Sequence, residues 1–83
     1  MIDFTDEQKR CIRYFEANIN DWLADELKKD KFIVISEDKI RGIFDKIDTA
    51  FEFAALNLRP GGYIIQRIVD ESKIVNYINP AFI

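Results

Sequence analysis

Histidine is absent from the 83 residues, and cysteine occurs once, at Cys11. The first absence removes the commonest general base near neutral pH, the commonest zinc ligand and every Ser-His or Cys-His nucleophile pair. No catalytic residue stands out, and an enzyme is not expected. A single cysteine excludes a disulfide within the chain, which fits a reducing compartment and points to the cytoplasm. Long apolar runs are also missing: nothing approaches the ~18 residues of a membrane-crossing helix. The opening Met1-Ile2-Asp3-Phe4-Thr5-Asp6-Glu7 has neither the basic start nor the apolar stretch of a secretory signal. No membrane partner is expected.

Basic charge is in short supply. Twelve Lys and Arg face fifteen Asp and Glu, for a formal charge of −3. Residues 1–30 carry eight acidic and five basic side chains, while residues 31–83 carry seven of each. A surface that neutralises phosphates needs a basic stripe, and none is visible, so nucleic acid is not an expected partner. The acidic first third is too sparse to mimic phosphate charge and reads as a solvated helix face.

What is present is the material of a core. Hydrophobic residues make up 48% and charged residues 33%, a balance typical of folded domains. The length suits one domain, taken as 1–83, which buries roughly 60–65% of its unfolded surface. Thr5-Asp6-Glu7-Gln8 has the form of a capping box, in which the Thr5 hydroxyl and the Gln8 side chain exchange hydrogen bonds with each other's backbone. Ile12, Phe15, Ile19, Trp22, Leu23 and Leu27 follow at helical spacing, and Lys28-Lys29 suits a helix carboxyl end, so the pattern predicts a helix from about 6 to 28. Poor helix formers cluster at Asn18-Ile19-Asn20-Asp21, leaving a kink or a second cap open there.

Lys31-Phe32-Ile33-Val34-Ile35-Ser36 is β-branched and aromatic, and reads as a central strand buried on both faces. Glu37-Asp38 turns the chain, and Lys39 to Phe44 returns as the second arm of a hairpin, with Gly42 marking a bulge or a close contact. Asp45 is the expected N-cap of a helix whose apolar face holds Ile47, Ala50, Phe51, Ala54, Ala55 and Leu58. Arg59-Pro60-Gly61-Gly62 stops it, with glycine as a left-handed cap. Tyr63 to Val69 and Lys73 to Ile78 complete four strands. The expected class is α+β, in the order α-β-β-α-β-β, with the helices on one face of a small, mostly antiparallel sheet.

Four segments carry a family resemblance: Lys31-Phe32-Ile33-Val34-Ile35, Ile40-Arg41-Gly42-Ile43-Phe44-Asp45, Ala50-Phe51-Glu52-Phe53-Ala54 and Tyr63-Ile64-Ile65-Gln66. Across residues 31–68 the chain resembles short bacterial domains of unknown function with a strand-strand-helix-strand core. The resemblance implies a hairpin, a helix and a return strand, and it implies no catalytic or ligand-binding residue. It also implies a glycine just before the first strand, where this chain has Asp30.

Little else suggests chemistry. Cys11, inside the first helix, reads as a small apolar side chain, although Lys9, Arg10 and Arg13 are near in sequence. Asp21 with Asp25, and Asp45 with Asp48, are spaced to share a divalent ion, yet serve as well as caps and solvated surface. Gly61-Gly62 follows a helix and precedes a strand, the reverse of a phosphate-cradling loop. No metal or cofactor is expected. Aromatic residues are 13% of the chain, and Tyr14, Trp22, Phe53, Tyr77 and Phe82 are the ones not assigned inward; together they suggest a contact surface. Lys39, Arg41 and Lys73 read as protection for strand edges. The expected function is a non-catalytic module binding a protein partner or a second copy. The alternatives are a small neutralising protein (an antitoxin, immunity protein or phage-encoded inhibitor) and a carboxylate-based metal-binding protein or enzyme.

Overall fold

The structure, a computed structural model, describes residues 4–69 and the backbone of residues 76 and 77. Helix α1 spans Asp6–Leu23 and begins at the expected capping box: Gln8 N–H donates to Thr5 Oγ1 at 3.0 Å, and Thr5 N–H donates to Gln8 Oε1 at 2.9 Å. The helix runs unbroken through Asn18–Asp21, where Asn18 Nδ2 donates back to the Tyr14 carbonyl at 2.8 Å. It stops at Leu23, short of residue 28. Asp25 accepts the Leu27 N–H at 2.9 Å and pairs with Lys28 Nζ at 2.7 Å, giving the chain a local turn to satisfy in place of another helical one. These two donors hold the Asp25 carboxyl below its ordinary value, Lys28 having the larger effect. Leu27, expected on the apolar face, is consequently 82% exposed.

Strands β1 (Phe32–Ser36) and β2 (Lys39–Phe44) form the expected antiparallel hairpin. Its two turn residues, Glu37 and Asp38, have φ of 54° and 57°, a pair of left-handed conformations that hairpins ordinarily assign to Asn-Gly. Asp30, at the position where the family resemblance implies glycine, also has a left-handed φ, of 64°. The register jumps between Val34↔Gly42 and Ile35↔Ile40, so Arg41 is the extra residue of a β-bulge. Gly42 is a close contact as well: a Cβ there would lie 2.7 Å from the Phe44 ring, which covers the bare backbone.

Helix α2 spans Ile47–Asn57. Its N-cap is Lys46, with no side-chain cap bond, because the expected cap Asp45 is engaged with Lys31 instead. The glycines that follow do not cap it either. Arg59-Pro60-Gly61-Gly62 is a type II turn, with proline second, Gly61 third at φ 78°, and Gly62 N–H donating to the Arg59 carbonyl at 3.0 Å. Strand β3 (Tyr63–Arg67) pairs antiparallel with β1, and β4 (Asn76–Tyr77) pairs antiparallel with β3. The remainder of the expected fourth strand lies outside the described residues.

The element order and α+β class are those expected; the placement of the helices is not. The sheet runs β2-β1-β3-β4, and the two helices cover opposite faces of it. Cys11, Phe15, Ile19 and Trp22 of α1 pack on Ile33, Ile35, Ile64 and Ile68. Ala50 and Ala54 of α2 pack on Val34, Tyr63 and Ile65. Alternation along β1 and β3 explains the split, since neighbouring residues point to opposite sides and both strands are apolar on both. Such strands need a layer on each face, and one helix supplies each.

Candidate functional site

The amino end of α1, the β1–β2 turn and the α2–β3 turn meet at one end of the sheet. Three contacts fasten the helix to the α2–β3 turn and the start of β3. Thr5 Oγ1 donates to the Gly61 carbonyl, Gln8 Nε2 donates to the Tyr63 carbonyl at 3.3 Å, and Arg59 Nη2 donates to Glu7 Oε1 at 2.7 Å. The two glycines permit this approach: a Cβ on Gly61 would lie 3.3 Å from Thr5 Cγ2, and one on Gly62 would lie 3.0 Å from Glu7 Oε2. What sequence reading treats as helix punctuation is the seat of the first helix.

Two adjoining depressions open there, of ≈ 160 and ≈ 370 Å³, sharing Glu7, Glu37 and Arg59 in their walls. Cys11 lines the smaller, beneath the hairpin turn. Burial pushes its thiol above the ordinary 9.0, and the Asp38 carboxylate adds to the rise; the turn's backbone N–H groups at Asp38 and Glu37, and the charge of Arg10, oppose it. The net result is a protonated, weakly nucleophilic thiol at neutral pH.

The larger depression lies on the α2 side, under the end of that helix. Ser36, Asn57 and Arg41 line it together with the shared residues. Arg41 reaches it because the bulge re-aims its side chain: Nε donates to the Ser36 carbonyl at 3.3 Å and Nη2 to Glu37 Oε2 at 2.7 Å. Ser36, at the end of β1, is 7% exposed.

The aromatic candidates are dispersed. Trp22 is core, with its ring 5.7 Å from Phe15 and 5.9 Å from Tyr14, which packs half-buried against the same layer. Phe53 lies across the sheet, 5.3 Å from Phe44. The Tyr77 side chain and Phe82 lie outside the described residues. Asp21 and Asp48 remain on helix surfaces while Asp25 and Asp45 are in ion pairs, and no group of three potential metal ligands occurs among the described residues. Among those residues, no helix is long and apolar enough to cross a membrane.

Sequence reading missed Ser36, Asn57, Arg59 and Glu7. They come from three separate segments, and no spacing rule links positions 52 apart such as Glu7 and Arg59. No family model, curated protein or solved structure matches the chain.

Proposed function

We propose that the chain is a non-catalytic protein-interaction module that takes its partner along the edge of β2. The observation that carries this reading is the position of β2 at the end of the strand order, with no strand beyond it among the described residues. An edge strand offers unpaired backbone groups that a partner's extended segment can complete, and side-chain pockets beside it set specificity. Ile40, 37% exposed on this strand, supplies an apolar contact. The bulge at Arg41 interrupts the edge, which restricts indiscriminate strand pairing and leaves short stretches on either side of it. A reducing compartment, the cytoplasm, suits the lone protonated thiol of Cys11.

The test is selection of peptides from a random library against the immobilised full chain, followed by comparison with Ile40→Glu. The reading expects extended peptides whose binding shifts the β2 amide resonances and weakens at least tenfold in the variant, as loss of one buried Ile contact implies at ~1.5–3 kcal/mol. Peptides that bind with β2 resonances unmoved would refute it.

A further inference from the structure

We infer that the larger depression between the β1–β2 turn and the α2–β3 turn is a carboxylate-binding site. The inference rests on the protein-binding reading only for the source of the carboxylate, a partner's side chain or chain end; the chemistry of the site stands on its own. Its floor is Ser36, more than nine-tenths buried and part of the lining. Ser36 is on the α2 side of β1, two residues beyond Val34, which packs against α2. The hydroxyl therefore lies beneath the opening lined by Asn57 and Arg59.

The surrounding groups have donors to spare. A guanidinium carries about five N–H donors. Arg41 uses its Nε on the Ser36 carbonyl and Nη2 on Glu37, and Arg59 uses Nη2 on Glu7. Both retain further N–H groups in the wall of the depression. Their carboxylate partners are on solvent-exposed pairs, which are weak and exchange readily. An incoming acceptor can therefore share each guanidinium without breaking a strong bond. The ligand's charge is limited by Glu7 and Glu37, which balance the two arginines in the same wall. A dianion such as a phosphate monoester meets two negative neighbours, whereas a monoanionic carboxylate places one oxygen on Ser36 Oγ and the other on a guanidinium. The volume of ≈ 370 Å³ admits a carboxylate with the few atoms that join it to a chain.

The experiment is a titration of the isotopically labelled full chain, followed by the Ser36 and Gly62 amide resonances and the Nε resonances of Arg41 and Arg59. Acetate is titrated against chloride at matched ionic strength. Two blocked glycine peptides follow, one with an internal glutamate and an amidated end, the other with only a free terminal carboxylate. Saturable shifts of these resonances with acetate, absent with chloride, are expected. The peptide that binds more tightly identifies the source. Arg59→Gln, which removes a solvent-exposed ion pair with Glu7 and whose folding is checked by its amide spectrum, and Ser36→Ala should each weaken binding by roughly three- to tenfold. Shifts no larger than those from chloride would overturn the inference. So would unchanged affinity in Ser36→Ala, whose folding is checked by its amide spectrum. Neither failure touches the edge-strand reading, which is decided by the resonances of β2 with library peptides.

Discussion

The two faces of the sheet are covered by different means. On the α1 side the helix inserts large side chains, Phe15, Ile19 and Trp22, into a layer of isoleucines, and nearly every contact is fully buried. On the α2 side the helix presents Ala50 and Ala54, which let its backbone come close to Val34 and Ile65, while Ile47, Phe51, Phe53 and Leu58 form a half-buried rim. One layer is held by volume and the other by proximity. The volume layer should carry more of the stability, and the rim of the other leaves apolar surface beside the β2 edge, where Phe44 and Phe53 meet.

The largest effect should come from breaking the volume layer. Phe15→Ala empties a fully buried site and should cost ~3–5 kcal/mol in urea unfolding, a large share of the stability of a domain of this size. The proximity layer should fail in the opposite direction: Ala54→Leu overfills a close helix–sheet contact and should cost ~1–3 kcal/mol, while Phe15→Leu, which keeps volume, costs less than Phe15→Ala. If Ala54→Leu were neutral, α2 would not be seated closely on its face.

A smaller effect separates turn strain from layer packing. Replacing Glu37-Asp38 by Asn-Gly relieves two left-handed conformations and should raise stability by about 1 kcal/mol with both layers intact. A loss on that substitution would mean that the Glu37–Arg41 pair outweighs the backbone cost.

The smallest effect is at Cys11, which joins the volume layer to the turn. Its folded value lies above 9.0, so the folded state holds this proton more tightly than the unfolded state. Its contribution is therefore complete below about pH 9 and is lost as pH rises from there through the higher folded value. Comparing the alkaline limbs of the parent and Cys11→Ala isolates this term: the parent should fall more steeply.

The element order was legible because hydrophobic periodicity follows local geometry, and the capping box at Thr5–Gln8 marked the first helix to the residue. The helix end was not legible, since Asp25 can serve either as a helix surface residue or as a turn acceptor, and only folding decides. The two-sided cover was present in the unbroken run Phe32-Ile33-Val34-Ile35: a strand apolar on both faces is incompatible with both helices on one side. The turn strain was hidden, because Glu and Asp do not announce left-handed backbone as glycine does. The depression around Ser36 was illegible. Its walls are brought together by tertiary contacts such as Thr5 with Gly61, which leave no local pattern.

Residue-resolved amide hydrogen exchange of the free protein tests the central claim, an open β2 edge on a sheet covered on both faces, most directly. The amides of β1 and β3, paired on both sides, should be the slowest in the chain, while those of β2 should divide into slow amides bonded to β1 and fast ones facing outward. Uniformly slow exchange along Lys39–Phe44 would show the edge already covered and would contradict the account.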